Sequence, residues 1–416
     1  MTTRENIEEK IRSHHLGGLL PNDLVAPDYG GYSIDRIPRF IRMLFGEHTQ
    51  QPNELDALLP SQTKRVIFLI LDGMGYLHLN RLLSEFPDLF LHTLINRGTM
   101  VPLTSVFPST TAAALATLNT GLTPQEHAML GYRLYLKETA AITNMLSLSL
   151  LGNKVGDSAL EAGIDVKTFL NVPTLLEQLR ALEVESHVLL SKHISSSGLS
   201  SLLYNGGAEM HPGVNLSDML VTAREILTRA TCKTFVSIYW GATDTIAHVR
   251  GPWTDHFAAE LRSVDAALAR ELHGRLDDTV IIISADHGFM PMTEDDYINI
   301  TDYPLLFDNL LLPPVGDTRT GYLFVRDGRK EHVRRIIEET FADDVLCLDS
   351  EEALEAGLFG TGKVRREVHD RIGDLIISST GGKALYYPYK DSARLRGMHA
   401  GLTPEEMLVP FIVSHL

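Results

Sequence analysis

The chain of 416 residues is 44% apolar and 22% charged, which excludes disordered and collagen-like classes and leaves enough apolar sequence for a large core. Its net charge of −16 is spread along the chain without a basic stripe. This excludes nucleic acid as the main partner but not a small anionic substrate, because divalent cations in a site outweigh remote carboxylates.

The opening MTTRENIEEKIRSHH is charged where a signal peptide needs an apolar run, and no segment reaches the about 18 apolar residues of a membrane span. Cys232 and Cys347 are separate, with no CxxC pair, so neither a disulfide framework nor a thiolate metal site is expected. These features predict a cytoplasmic protein without a membrane partner. Oligomeric state leaves no sequence signal.

Residues 1–62 read as a helical and irregular arm, with RENIEEKIRS and IDRIPRFIRMLFG as its helical stretches and PDYGGYS as a turn cluster. The catalytic core, expected over 63–301, begins at Arg65. There VIFLIL has the unbroken apolar character of a parallel strand buried on both faces, and DGMG ends it with Asp72 at the strand's carboxyl end. LHLNRLLSEF and LFLHTLINRG follow as helices. A run ending in Val106 and Phe107 reads as another strand, broken by Pro108 and Ser109, after which TAAALATLNT reads as a helix of small side chains beginning at Thr111. A hydroxyl in that first turn sits where free backbone N–H groups and the helix dipole favour an anion, so Thr111 is a candidate nucleophile; the alternative is that Thr110 or Thr111 caps the helix. Thr123 to Glu126 form a capping box and take no catalytic role.

Residues 136–172 are mixed and polar with few periods. Beyond them TLLEQLRALEV and LSDMLVTAREILTRA read as helices, and SHVLLS and TFVSIYW as strands. GATDTIAHVRGP stands at the carboxyl end of the latter, and a helix over about 255–273 leads into TVIIIS, which finishes at ADHG. This alternation predicts an α/β fold with a mostly parallel central sheet flanked by helices. Residues 302–386 read as a small inserted α+β cap, and 387–416 as a return to the core through GMHAGLTPEEM and a final apolar strand.

Four segments place ligand-type residues after strands or before a returning one: Asp72; Asp244 and His248; Asp286 and His287; and His399. The DxxxH spacing puts Asp244 and His248 on one face of a helical turn. Ligands of open α/β sheets bind outside the carboxyl ends of strands, so these groups converge on the edge that carries Thr111. Singly each has a plain reading: Asp72-Gly73 is a common turn dipeptide, helix surfaces carry DxxxH by accident, and His287 and His399 could be loop histidines. Jointly they suit two divalent cations that bind phosphate oxygens. Tyr239 and Trp240 lie beside them and could stack on a substrate ring, although strand-end aromatics are commonly core.

These motifs resemble the alkaline phosphatase superfamily and, within it, the nucleotide pyrophosphatase/phosphodiesterase branch. LDGMG resembles the first metal-binding turn, FPSTTAAALATLNTGLTP the nucleophile segment, YWGATDTIAHVRGP the DxxxH segment, SADHGF the DHG segment and GMHAGLTPEEM the final histidine segment. The resemblance implies one ion, zinc with manganese as the alternative, held by Asp72, Thr111, Asp286 and His287. It implies a second held by Asp244, His248 and His399. It further implies a Thr111 nucleophile with a phosphothreonine intermediate, and the Ala112 N–H is a candidate donor to a non-bridging oxygen. The chain departs from the branch at Ala114, where an Asn three positions after the nucleophile is expected, and no Arg stands in the nucleophile helix. The expected activity is a phosphodiesterase or nucleotide pyrophosphatase on a small organic or nucleotide-like phosphate. A phosphomonoesterase or phosphonate hydrolase is the alternative on the same core, and a phosphomutase or a catalytically silent binding protein the alternative from other classes.

Overall fold

The apolar run Arg65–Leu71 (β1) lies at the centre of a seven-stranded sheet because every residue after Arg65 is buried, leaving no solvent face on either side. In the computed structural model, residues 3–48, 52–60, 62–153, 156–204, 207–390 and 394–416 are described. In chain order the strands after β1 are Thr99–Thr104 (β2), Arg133–Leu136 (β3), Ala141–Asn144 (β4), Ser149–Leu150 (β5), Glu185–Ser191 (β6), Glu209–Gly213 (β7), Thr234–Trp240 (β8) and Thr279–Ser284 (β9). The main sheet runs β2, final strand Leu408–His415, β9, β1, β8, β6, β7. All its pairings are parallel except those of the final strand, which lies antiparallel between β2 and β9. The expected α/β fold with a largely parallel sheet and flanking helices is the fold observed.

Register fixes the functional edge. Leu71 pairs with Trp240 and Ile70 with Ser284, so β1, β8 and β9 end side by side and hand over to Asp72, Gly241 and Ala285. The final strand begins at the same edge, where Leu408 pairs with Thr104. Gly73 turns the chain sharply after β1 with φ of 72°, and a Cβ there would run into the Phe289 ring.

The strand expected to continue through Phe107 ends at Thr104. Its backbone leaves the ladder there: Ser105 N–H donates to the Met407 carbonyl at 2.7 Å, and Phe107 N–H to the Tyr29 hydroxyl at 3.0 Å. The helix Thr111–Thr120 then starts where expected, with Ala112, Ala113, Ala114 and Ala116 fully buried. The helices Thr3–Arg12 and Ile37–Leu44 add Ile7, Ile11, Phe40 and Ile41 to the same core, and Phe40 packs edge-on to Phe411 at 5.1 Å.

A second, antiparallel sheet lies beyond the functional edge in the order Val345–Asp349, Leu375–Ser379, Thr320–Leu323, Val315–Gly316, β3, β4, β5. Residues 136–172, with few periods in the sequence, thus contribute β4 and β5, next to β3, to a sheet shared with 315–379. No described helix is long and apolar enough to cross a membrane.

One fully buried ion pair joins the second sheet to the segment before the final strand. Arg319 donates to both carboxylate oxygens of Glu406 at 2.6 and 2.9 Å, and neither side chain has measurable exposure. Glu406 also accepts from the Gly401 N–H at 2.8 Å and the Thr403 hydroxyl at 2.7 Å, which ties down the loop that carries His399. Removing one partner of such a pair strands the other charge, whereas replacing both by apolar groups costs little. Glu406→Ala should therefore lower the unfolding free energy by roughly 3–5 kcal/mol in a urea titration, and Arg319→Met combined with Glu406→Leu should recover most of it. A loss under about 1 kcal/mol in the single variant would contradict the clamp.

Candidate active site

Three carboxylates meet at the ends of three adjacent strands. Asp72 follows β1, Asp244 sits in the first turn of the helix Ala242–Arg250 after β8, and Asp286 follows β9. Asp286 accepts through Oδ1 from the Gly73 and His287 N–H groups, each at 3.0 Å, which orients it rigidly. The other Asp286 oxygen, Oδ2, has no hydrogen-bond partner, and neither do Asp72 Oδ1 and Asp244 Oδ1.

The imidazoles are turned to match. His248 Nδ1 lies 2.8 Å from the Gly397 carbonyl, His399 Nδ1 3.1 Å from that of Ser109 and His287 Nδ1 3.1 Å from that of Gly288. Each Nδ1–H is thereby spent on backbone, which leaves each Nε2 as a bare lone pair. Those lone pairs face the carboxylates: His248 Nε2 is 3.3 Å and His399 Nε2 3.9 Å from Asp244 Oδ1, and His287 Nε2 is 3.5 Å from both Asp72 Oδ1 and Asp286 Oδ2. The His287 and His399 rings stack at 3.7 Å. Two overlapping donor groups result, Asp72–Asp244–His287 and Asp244–His248–His399, each with its ligand atoms within 4.8 Å of one another.

Burial raises the Asp72 pKa well above the carboxylate range, and the Asp286 and Asp244 charges raise it further. Asp244 is raised by burial too, partly offset by His248 and His287. His399 is held well below its ordinary value by burial and then by His287 and His248. Orphaned buried carboxylate oxygens beside imidazole nitrogens are the donor set of a hard-to-borderline divalent cation. The residues present fit such ions.

Thr111 opens its helix beside this cluster, with Oγ1 3.2 Å from His287 Nε2. The preceding Thr110 does not cap the helix; its hydroxyl donates instead to Asp317 Oδ1 at 2.9 Å, and Asp317 Oδ2 accepts from the Tyr132 N–H at 3.1 Å. The first-turn backbone N–H groups, that of Ala112 among them, are thus left without a side-chain cap. Asp72, Thr111 and Asp244 together form one wall of a cavity of about 750 Å³.

The chain from residue 66 to 402 matches the family model for type I phosphodiesterase/nucleotide pyrophosphatase. It belongs to that family. The type I phosphodiesterases lie within the alkaline phosphatase superfamily, and this chain is accordingly a metal-dependent hydrolase of phosphoester bonds. Its fold is similar to that of murine ectonucleotide pyrophosphatase/phosphodiesterase 5, at 15% identity and TM-score 0.62 over 84% of this chain and 88% of that one. It is similar, too, to an inactive threonine-to-alanine variant of that protein in complex with AMP, at 15% identity and TM-score 0.61 over 84% and 87%. Phosphonoacetate hydrolase from Sinorhizobium meliloti in complex with phosphonoformate is similar at 22% identity and TM-score 0.63 over 84% and 90%. No curated protein sequence matches the chain.

All seven residues expected as metal ligands lie together. Tyr239 and Trp240 both line the cavity, but their polar ends are engaged: the Tyr239 hydroxyl donates to Asp72 Oδ2 and the Trp240 Nε1–H to Glu260 Oε1 at 2.8 Å. Ala114, the position of the departure from the branch, is fully buried and does not line the cavity, where Leu115 stands one residue on. The far wall comes from Asn144, Ser147, Ser191 and Ser200, which the motif reading missed. Ser191 ends β6, and the strand-end rule that selected Asp72 applies to it equally.

Because Asp72 and Asp244 have pKa values raised in the folded chain, their contribution to metal-free stability is complete below the unfolded value of about 4 and is lost as pH climbs through the raised values. A bound cation removes that loss and competes with protons for the same oxygens. The gain in Tm on adding Zn²⁺ to chelator-treated protein should therefore be smallest near pH 5 and grow toward pH 8. Equal gains at the two ends would contradict it.

Proposed function

We propose that this protein is a two-metal phosphodiesterase of small organic phosphates in which Thr111 is the nucleophile. The observation that carries the reading is the position of the Thr111 hydroxyl, at an uncapped helix N-terminus, 3.2 Å from His287 Nε2 and on the wall between the carboxylate cluster and the cavity. The inactivity of the threonine-to-alanine variant of the murine relative supports the same assignment.

Asp72, Asp286, His287 and Thr111 would hold one cation and Asp244, His248 and His399 the other, zinc in both cases. Such ions lower the pKa of a bound hydroxyl and draw charge from phosphoryl oxygens. Thr111 Oγ attacks phosphorus, the bond from phosphorus to the leaving oxygen breaks in line, and the threonine proton ends on the departing alcohol. Water then attacks the phosphothreonine, the Thr111 Oγ–phosphorus bond breaks, and a water proton restores the hydroxyl. The Ala112 N–H, in the uncapped first turn, donates to a non-bridging oxygen.

The preference for a diester follows from charge. Among the described residues no Lys or Arg lines the cavity, although His193 does, so no guanidinium or ammonium there pairs the second charge of a monoester or the carboxylate of a phosphonoacetate-type substrate. Arg133, a candidate source of that charge, is buried against the Tyr132 and Tyr389 rings at 4.5 and 4.8 Å. Leu115, Leu190, Leu199 and Leu203 with Tyr239 and Trp240 give the leaving group an apolar and aromatic bed. A nucleoside-sized or similarly apolar alcohol fits it.

On zinc-loaded protein, kcat/KM for bis-p-nitrophenyl phosphate should exceed that for p-nitrophenyl phosphate, and a ratio well below one would make the enzyme a monoesterase. Thr111→Ala should lower kcat on the diester by on the order of a thousandfold or more while the variant still takes up zinc. Intact turnover in that variant would remove the nucleophile assignment.

A further inference from the structure

At the opposite end of β6 and β7 from the catalytic edge, a second group of ligand-type side chains meets. Glu185-Ser186-His187 on β6 and Glu209-Met210-His211 on β7 repeat the spacing Glu-x-His, and strand alternation places both members of each pair on one face. The strands are parallel, with His187 opposite Glu209 and Leu189 opposite His211, which offsets the two pairs so that the histidines and Glu209 close on one point. His187 Nδ1 lies 3.0 Å from His211 Nε2 and 3.7 Å from Glu209 Oε2, and His211 Nε2 lies 3.9 Å from Glu209 Oε1. Glu185 Oε1 stands 3.3 Å from the other ring nitrogen of His187.

Two imidazole nitrogens bound to one tetrahedral zinc ion lie about 3.3 Å apart, given bonds of about 2.0–2.1 Å. The observed donor separations are close to that spacing, and one ligand atom from each of His187, Glu209 and His211 falls within 4.8 Å of the others. Without a cation, two nitrogens at 3.0 Å share at most one proton, beside two carboxylates. His187 and Glu209 line an open groove together with Glu185 and Arg180. We infer that His187, Glu209 and His211, with Glu185 turned toward the buried ring, form a binding site for a zinc-class divalent cation separate from the catalytic cluster.

The site would clasp the edge strand to its neighbour. β7 pairs on one side only, with β6, and the far end of β6 supplies Leu190 and Ser191 to the catalytic cavity. Lys192 N–H donates to the Gly213 carbonyl at 2.9 Å where the two strands leave the sheet. An ion at the near end would tie the same two strands together at the end away from the cavity, whose own end is already held by the backbone pairing.

The test compares full-length wild type, His211→Ala and Glu209→Gln, each stripped with chelator and dialysed against micromolar Zn²⁺, with bound zinc per chain read by elemental analysis. Wild type should hold one ion more than either variant, while kcat/KM on bis-p-nitrophenyl phosphate under excess zinc stays unchanged. Equal zinc content in wild type and variants overturns the site. Circular dichroism checks folding, and Glu209→Gln, at an exposed side chain, carries the comparison should His211→Ala fail to fold. Only the difference between proteins is read, so an error in the two-metal reading of the catalytic cluster shifts all three totals alike and leaves this outcome distinguishable.

Discussion

Three carboxylates gathered within a few ångströms at a buried sheet edge repel one another, and this repulsion is the constraint around which the chain is built. Asp72, Asp244 and Asp286 are placed there by register: β1, β8 and β9 are neighbours whose last residues stand side by side. Coulomb repulsion and desolvation both act against such a cluster in an empty site, as the raised Asp72 and Asp244 pKa values express. The surroundings do not neutralise it with Lys or Arg. They present three imidazole lone pairs, each fixed by a backbone carbonyl on the opposite nitrogen. A protein that orients imidazole nitrogens toward unpaired carboxylates has arranged a donor set for a cation from outside.

Delivering His399 to that point requires the last part of the chain to be held as firmly as the strands. Its loop has no strand of the main sheet before it, so the anchor is polar. Glu406 receives the Arg319 guanidinium, the Gly401 N–H and the Thr403 hydroxyl, while the Ser109 hydroxyl donates to the Gly401 carbonyl at 2.7 Å. Arg319 comes from the segment that enters the second sheet, and Asp317, two residues earlier, takes the Thr110 hydroxyl and the Tyr132 N–H. The same few residues of the second sheet thus brace both the final histidine loop and the start of the Thr111 helix. Burial raises the Asp317 pKa to about 6, with Tyr132, Thr110 and Arg133 working against the rise.

How much of this was legible in the sequence depended on whether a residue's role was local. VIFLIL, TFVSIYW and TVIIIS announce buried parallel strands by composition, and the polar residue after each is placed by the strand's end, so Asp72, Asp244 and Asp286 followed directly. The Thr111 helix was legible for the same reason. The end of β2 was not, because Val106 and Phe107 are buried and apolar without being paired, and burial alone cannot distinguish a strand from an irregular segment whose N–H groups find other acceptors. β3 to β5 were hidden because these strands are only two to four residues long and β3 takes its other partner from sequence nearly two hundred residues away. Asn144 and Ser147 inherit that difficulty. Ser191 does not: its strand was recognised, but a serine carries no metal-ligand signature to mark the strand's end.

The Thr110 side chain bears directly on which substrates the site can take. A threonine at an N-cap position ordinarily satisfies a first-turn N–H with its own hydroxyl, a contribution of about 1 kcal/mol to the helix. Here Asp317 draws that hydroxyl away, and the helix opens at Thr111 without a side-chain cap. Donors without a formal charge suit an oxygen that carries a fraction of one, which is the situation of the non-bridging oxygens of a diester. On the proposed two-ion reading, two divalent ions over three carboxylates would leave a net charge of roughly +1, which balances a monoanion but not a dianion. With no Lys or Arg among the described residues of the cavity wall, the metal cluster, the uncapped helix and the apolar bed for the leaving group all support the proposed monoanionic substrate.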